Sequence, residues 1–281
     1  MSESNVSRGI SAPLLSVEKV SVRFEGVKAL SDVSFHVLPG ELFAVIGPNG
    51  AGKTSLFNVI SRVYQPVAGS VTYEGRDLLR LKAYQVARAG IARTFQNLGQ
   101  FPTMTVLDYL LLGRHTLMRS GILLGGLYFI QTRAEEKRNR AYCLHLLDLI
   151  GLKHVSNYPL GSLPYGLQKR ADIARALALE PKLLLLDEPV AGMGLAETED
   201  IAAVILDIKE QLRVTQILVE HDMALVMGIA DHVLVLDFGR VIAQGIPAEV
   251  QANPDVIKAY LGEEFGGGSP NALSIPTEES R

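Results

Sequence analysis

Apolar and polar residues alternate in two stretches near the start of the chain. The apolar positions are Val20, Val22 and Phe24 in the first stretch and Val33, Phe35 and Val37 in the second. A period of two is typical of strands that bury one face, as the strands of antiparallel sheets do. The pattern therefore predicts an antiparallel β portion at the start of the fold.

Continuous apolar runs follow, each bounded by turn-forming residues. They are LFAVI at 42–46, LLLL at 183–186, ILV at 217–219 and VLVL at 233–236. Strands that are covered on both faces have this composition, and such strands usually belong to parallel sheets. Helical periodicity separates the runs, at 53–63, 133–150, 167–179 and 195–212. The alternation of strands and helices predicts an α/β fold with a mostly parallel core sheet.

The chain divides into one predicted domain, 14–262, and two tails. We expect residues 1–13 and 263–281 to be flexible, because neither segment can bury a core of its own. Within the domain, residues 78–160 are mostly helical without a strong strand, which indicates an inserted helical subdomain. Its apolar stretch at 121–130 has ten residues, whereas a helix that spans a membrane needs about 20.

Composition and charge narrow the classes of function. The chain is 48% hydrophobic and 20% charged, as expected for a globular domain with a sizeable core. Its net charge of -3 argues against a nucleic-acid partner held through phosphate contacts. A single cysteine, Cys143, excludes an internal disulfide framework, and we expect it to be a buried apolar residue.

The strongest motif follows the first apolar run directly. It matches G-x-x-x-x-G-K-[ST] and is spelled Gly47, Pro48, Asn49, Gly50, Ala51, Gly52, Lys53 and Thr54, with Ser55 next. A glycine-rich turn of this kind points backbone N–H groups at phosphate oxygens, and the helix that follows turns its positive end to the anion. Lys53 adds charge for the β and γ phosphates, and the Thr54 hydroxyl suits Mg²⁺. The motif predicts a nucleotide site.

Two carboxylates stand at the end of the leucine run, at Asp187 and Glu188. The carboxyl ends of strands are where α/β sheets bind their ligands. Asp187 is placed to hold Mg²⁺, and Glu188 to orient or deprotonate an attacking water. An acidic pair after an apolar run is by itself usually a solvated strand end. Together with the phosphate motif, it indicates a site for phosphoryl transfer.

From residue 14 to 262 the chain resembles the ATPase subunits of ABC transporters, which implies their ATPase fold with ATP and Mg²⁺ as ligands. Gln96 in IARTFQ matches the Q-loop glutamine, which approaches the metal and the attacking water. His221 in LVEHDM matches the histidine that contacts the γ-phosphate. Phe24 stands where the family stacks an aromatic ring on adenine, although it also fits a core-facing strand position. Without this pattern, Gln96 and His221 would be ordinary strand-end residues.

The family signature, usually L-S-G-G-Q, is altered here to Leu163-Pro164-Tyr165-Gly166-Leu167. In the family this motif caps the ATP held by the opposite subunit. Proline lacks both the serine hydroxyl and an N–H donor, and we expect the helix to begin only at Leu167. The resemblance thus implies a weak cap and favours a heterodimer with a second ATPase subunit, with a homodimer as the alternative.

The segments 90–113 and 163–170, the insertion near 114–133 and the closing NPDVIKAYLG are most similar to importer subunits for branched-chain amino acids. Urea or amide importers and lipopolysaccharide exporters are the alternatives. The resemblance implies transmembrane permease subunits docked near Gln96 and 97–104, an indirect solute-binding protein, and a peripheral place on the cytoplasmic membrane face.

Two other classes compete with a transporter subunit. A soluble ABC ATPase of repair or translation usually has long charged coiled coils or two ATPase domains, and neither is evident in this sequence. A regulator that binds nucleotide without hydrolysis would fit the altered signature. It would have little need for Glu188 and His221, because a regulator does not require a positioned base.

Overall fold

The computed structural model describes residues 12–24, 26–95, 101–115, 117 and 129–266. Over these ranges the strands are β1 (Leu15–Phe24), β2 (Val27–Val37), β3 (Leu42–Ile46), β4 (Ala68–Tyr73), β5 (Arg76–Asp77), β6 (Ile91–Arg93), β7 (Leu183–Asp187), β8 (Thr215–Val219), β9 (His232–Asp237) and β10 (Arg240–Gly245). The helices are α1 (Lys53–Ile60), α2 (Ala83–Arg88), α3 (Val106–Arg114), α4 (Phe129–Leu149), α5 (Tyr165–Leu177), α6 (Leu195–Leu212), α7 (Met223–Ile229), α8 (Pro247–Gln251) and α9 (Pro254–Gly266).

The core sheet has the strand order β10-β9-β3-β8-β7-β6, and all its pairs are parallel except β10 with β9. Every residue of β3, β7 and β8 is buried, because helices or the second sheet cover both faces. The predicted α/β class with a mostly parallel core is confirmed. Its parallel strands end at one edge, where the candidate site residues follow.

The second sheet is antiparallel, with the order β2-β1-β4-β5. Buried positions recur along β1 and β2, and Phe35 of β2 stacks on Phe43 of β3 with ring centroids 5.2 Å apart. Helix α1 lies between the two sheets, since Leu56 and Phe57 belong to the same core cluster as residues of β1 and β3. The helix that begins at the phosphate motif is therefore fixed in the core.

The structure corrects the expectation that residues 78–160 hold no strong strand. Ile91–Arg93 forms the edge strand β6 and pairs in parallel with β7, so the core sheet continues into this region. A three-residue strand that ends in arginine leaves no apolar run to recognise. Between β6 and α5, the described segments are helices and turns.

Two helix boundaries also differ from the sequence-based expectations. Helix α5 begins at Tyr165 and not at Leu167, with Pro164 as the N-cap. A proline there breaks no intrahelical hydrogen bond, because the first N–H groups of a helix have no partner within it. Helix α9 runs to Gly266, past the predicted start of the tail at 263. Residues 1–11 and 267–281 lie outside the described ranges.

Close contacts join the inserted helices to α5. Arg114 of α3 donates to Asn139 of α4 at 2.8 Å and to the carbonyl oxygen of Ala178 at 3.0 Å. A side chain at Gly113 would overlap the backbone of Arg175, so glycine permits α3 and α5 to lie this close. Cys143 is fully buried, and burial raises the pKa of its thiol to about 11, in keeping with a structural role.

Candidate active site

The phosphate motif forms the turn between β3 and α1, where three glycines adopt positive φ. Their φ values are 148° at Gly47, 78° at Gly50 and 105° at Gly52. A methyl group at Gly47 would overlap the carbonyl oxygen of Leu236, and one at Gly52 would lie 2.6 Å from that of Ala29. Gly50 is open to solvent and needs glycine for its backbone conformation alone. The shape of the turn therefore depends on the close approach of Gly47 and Gly52 to the backbone of neighbouring segments.

A second turn, between β9 and β10, supports the phosphate motif from the side. Gly239 donates its N–H to the carbonyl oxygen of Ala51 at 2.9 Å and accepts the N–H of Ser31 at 2.8 Å. Sequence reasoning missed this contact. Phe238 and Gly239 both have positive φ, which is typical of a tight hairpin turn. The glycine after the apolar run at 233–236 could have indicated the turn, but not its contact with the phosphate motif.

The Lys53 side chain packs against the turn of the phosphate motif. This side chain is buried, and Nζ donates to the carbonyl oxygens of Gly47 at 2.5 Å and Pro48 at 3.0 Å. Thr54 is exposed and Ser55 is half-buried, at the N-terminus of α1. The structure thus gathers a cation, a hydroxyl and a helix N-terminus at one turn.

Asp187, the last residue of β7, is fully buried. Its Oδ2 accepts from Arg93 Nη2 at 2.6 Å, and its backbone N–H donates to Thr94 Oγ1 at 3.1 Å. Its Oδ1 is buried with no hydrogen-bond partner among the described residues. A buried carboxylate oxygen without a partner is costly unless something binds it, and oxygen is the ligand that Mg²⁺ prefers. The residues present therefore fit a divalent cation.

Glu188 begins the loop after β7 with φ 48°, in the left-handed region that side chains rarely adopt. Its backbone N–H donates to the carbonyl oxygen of Val219 at 2.9 Å, which ties it to the end of β8. Such strain is tolerated where the surroundings fix the backbone, and it is common at functional sites. The Glu188 side chain is half-buried at the same sheet edge as Asp187.

His221 follows β8, and its side chain is 60% exposed. The residue before it, Glu220, is fully buried and joins two loops. Its Oε1 accepts the N–H of Val190 at 3.0 Å and its Oε2 that of His221 at 3.1 Å. Burial raises the pKa of the Glu220 carboxyl, and the two N–H donors oppose this shift. Sequence reasoning missed Glu220, although a carboxylate at the end of a buried strand was visible beside His221.

Phe24 ends β1 and is 41% exposed, so it does not belong to the core. Its ring meets that of Tyr64 edge-on, with centroids 4.8 Å apart. Gln96, the predicted Q-loop residue, lies outside the described residues, and so do residues 97–100.

The altered signature forms the start of α5. Pro164 is the N-cap and supplies no side-chain hydrogen bond to the helix. Tyr165 is 45% exposed, and a Cβ on Gly166 would lie 3.0 Å from Glu197 Oε1. The motif therefore retains a helix N-terminus and a close glycine contact, but it presents no serine hydroxyl.

Within the described ranges, we find no helix with both the length and the apolar character to cross a bilayer. A family model described as ABC transporter matches residues 30–191, and one described as branched-chain amino acid ATP-binding cassette transporter matches residues 240–266. The first of these matches covers more than half of the chain.

Relatives and solved structures cover nearly the whole chain. It is 40% identical over 254 residues to the high-affinity branched-chain amino acid transport ATP-binding protein BraF of Pseudomonas aeruginosa, a match that covers 90% of this chain and all of that protein. LivG of Escherichia coli, with the same description, is 39% identical over the same shares.

Among solved structures, a nucleotide-free ATP-binding cassette from an ABC transporter has a TM-score of 0.78 and 30% identity, covering 89% of this chain and 99% of that one. The ADP conformation of an ATP-binding cassette also has a TM-score of 0.78, with 29% identity and shares of 90% and 100%. The predicted family, fold and ATPase activity are confirmed. The chain belongs to the ABC transporter family, as a subunit that binds and hydrolyses ATP and works with transmembrane permeases.

Proposed function

We propose that this chain is the ATPase subunit of an importer for branched-chain amino acids. The proposal rests on 40% identity along the entire length of a protein described as a branched-chain amino acid transport ATP-binding protein. The match of residues 240–266 to the branched-chain model supports the same proposal. Urea or amide importers and lipopolysaccharide exporters remain the alternatives that an experiment has to exclude.

Uptake of labelled solutes in cells deleted for this chain tests the proposal. We expect loss of leucine, isoleucine and valine uptake and recovery with the wild-type chain. A chain with Lys53→Ala should restore nothing, because it lacks the phosphate-binding cation. Urea uptake serves as the parallel measurement. Unchanged leucine uptake with lost urea uptake would assign the chain to the alternative importer class.

The site residues divide between binding and chemistry. The backbone N–H groups of 47–55 other than Pro48, which has none, hold the phosphates together with the Lys53 side chain, and Phe24 stacks on adenine. Thr54 and Asp187, with Gln96, would hold Mg²⁺, and the bound cation would neutralise charge on the phosphate oxygens. Glu188 orients the attacking water and takes its proton, and His221 contacts the γ-phosphate. The unpartnered Oδ1 of Asp187 and the half-buried Glu188 side chain next to it support these roles.

The permease docks on a groove between β6 and the inserted helices, with a volume of about 310 Å³. Its lining is mostly apolar, and its wall includes Val86, Ala87, Phe95 and Leu112. Phe95 and Leu112 are 43% and 41% exposed, large apolar side chains that a partner would cover. A segment of a transmembrane subunit fits this position, because Phe95 in the groove wall directly precedes the predicted Q-loop residue in the sequence. Docking places the chain peripherally on the cytoplasmic membrane face, with a solute-binding protein as an indirect partner.

The altered signature supports pairing with a different ATPase subunit. In this arrangement the chain supplies Lys53, Asp187, Glu188 and His221 to one nucleotide, and the partner supplies the better cap. Pro164 cannot offer a hydroxyl or an N–H to the nucleotide of the facing subunit. The chain's own phosphate site is unaffected by this change.

ATPase rates of the chain alone, of the second subunit alone, and of both together test the pairing. We expect the mixture to exceed the sum of the separate rates. The double substitution Pro164→Ser with Leu167→Gln should raise the rate of the chain alone, because it restores the missing hydroxyl and amide. Full activity of the unmodified chain alone would contradict the heterodimer and favour a homodimer.

A further inference from the structure

Arg93 lies between the two halves of the site. At the end of β6, its guanidinium donates to Asp187 Oδ2 at 2.6 Å and to Asn58 Oδ1 in α1 at 2.8 Å. It also lies 5.5 Å from the ring centroid of Phe57. The Arg93 side chain is 23% exposed, whereas that of Asp187 has no exposed surface. Arg93 therefore reaches from the wall of the groove to the carboxylate of the metal site.

Charge balance makes this ion pair significant. A buried carboxylate is strongly unfavourable without a counter-charge, and Arg93 is the cation that the structure places on Asp187. The pair uses only Oδ2, which leaves Oδ1 unpartnered among the described residues. A divalent cation at Oδ1 would therefore place a second cation beside a carboxylate that is already paired with the Arg93 guanidinium.

The main chain of Arg93 is held by the helices. Its carbonyl oxygen accepts from Arg175 Nη2 at 2.9 Å, and Arg175 Nε donates to Asp172 Oδ1 at 2.7 Å. Asp172 is buried and accepts the N–H of Phe95 at 2.6 Å and the hydroxyl of Tyr109 at 2.8 Å. A hydrogen-bonded network thus runs from α3 and α5 to the backbone of Arg93.

We propose that Arg93 is a positioning residue, the resident counter-ion of Asp187 until a divalent cation binds, and that the network from Tyr109 ties this ion pair to the helical segment. The proposal rests on the proposed role of Asp187 in holding Mg²⁺. Cation binding weakens the pair, and Asn58 remains as a second partner for the guanidinium. A displacement of α3 and α5 moves the backbone of Arg93 and so changes how readily Asp187 accepts the cation.

Arg93→Gln tests the counter-ion role, because it removes the charge and keeps an amide donor. We measure the melting temperature with ATP in EDTA and with ATP and Mg²⁺, and the Mg²⁺ midpoint for binding a fluorescent ATP analogue. The variant should lose more stability in EDTA than with Mg²⁺, since the cation replaces the missing charge only when it is bound. Its Mg²⁺ midpoint should fall several-fold. Equal losses of stability, or an unchanged or higher midpoint, would overturn the proposal.

Arg114→Gln is the matched control. Arg114 is also largely buried and pairs with a carboxylate, Glu180, at 2.8 Å, but it lies among the inserted helices. This control should lower the melting temperature equally with and without Mg²⁺. Asp187→Asn distinguishes failure of the metal-binding hypothesis from failure of the counter-ion hypothesis. If it leaves the Mg²⁺ midpoint unchanged, Asp187 does not hold the metal. If only Arg93→Gln fails to behave as expected, the counter-ion role of Arg93 alone is wrong.

Tyr109→Phe tests the link to the helices, because it deletes one hydroxyl of the network and keeps the ring. We expect it to shift the Mg²⁺ midpoint in the wild-type background and to have no effect together with Arg93→Gln. An equal shift in both backgrounds, or no shift in either, would show that the network does not act through Arg93.

Discussion

Replacing Glu188 by glutamine should lower the ATPase rate of the transporter complex by about 100-fold or more. Proton transfer by a positioned side chain contributes a factor of about 10²–10⁴, and an amide cannot accept the proton of the attacking water. The backbone N–H of Glu188 bonds to Val219, so its hydrogen bond survives the substitution. The phosphate turn is untouched, and ATP affinity should stay near that of the wild type.

Phosphate release and binding of a fluorescent ATP analogue are the two measurements. Glu199→Gln is a suitable control, since Glu199 is an exposed carboxylate on α6 and should leave both quantities unchanged. Hydrolysis that persists near the original rate in Glu188→Gln would show that another group is the base. Equal loss of binding and hydrolysis would instead indicate that the loop after β7 had been distorted.

Gly47→Ala should destabilise the chain and abolish ATP binding. Its methyl group would overlap the carbonyl oxygen of Leu236, and both residues directly follow the last pair of β3 with β9, Ile46 with Val235, so separating them disturbs that pairing. Overpacking of this kind costs about 1–3 kcal/mol of unfolding free energy. Any relief has to come from the phosphate turn, which would then lose its shape.

Urea unfolding and ATP-analogue binding check this result. Gly40→Ala is the control, because Gly40 has φ 75° with open space around it. It should cost about 1–2 kcal/mol for the left-handed conformation and leave nucleotide affinity unchanged. Wild-type nucleotide affinity in Gly47→Ala would mean that the turn tolerates displacement, and that its shape is not what binds phosphate.

The sequence predicts what depends on neighbouring residues. The run at 42–46 and the motif after it locate β3 and the phosphate turn. Burial on both faces gives a continuous apolar run, and the turn requires closely spaced glycines, so both signals lie in consecutive residues. The helix at Leu195–Leu212 follows its own periodicity and has the predicted bounds. Asp187 and Glu188 could be located because the first ends a buried strand and the second follows it directly.

The contacts that the sequence does not reveal join residues far apart in the chain. Arg93 meets Asp187 across 94 positions, and Asp172 accepts the N–H of Phe95 across 77. Gly239 supports the phosphate turn from another hairpin. Each contact depends on which strands become neighbours, and a single polar residue has no periodicity to disclose its partner. Edge strand β6 was missed for the same reason, since pairing with β7 defines it.

Helix α1 is enclosed by both sheets, which has a consequence for how the subunit works. The helix that begins at the proposed phosphate turn is ordered as part of folding, so we expect nucleotide binding to lose little affinity to the ordering of a loop. The inserted helices lie at the far edge of the core sheet, beyond β6. A displacement of these helices would therefore reach the site through Arg93 and Asp187, while the phosphate turn and α1 keep their place between the sheets.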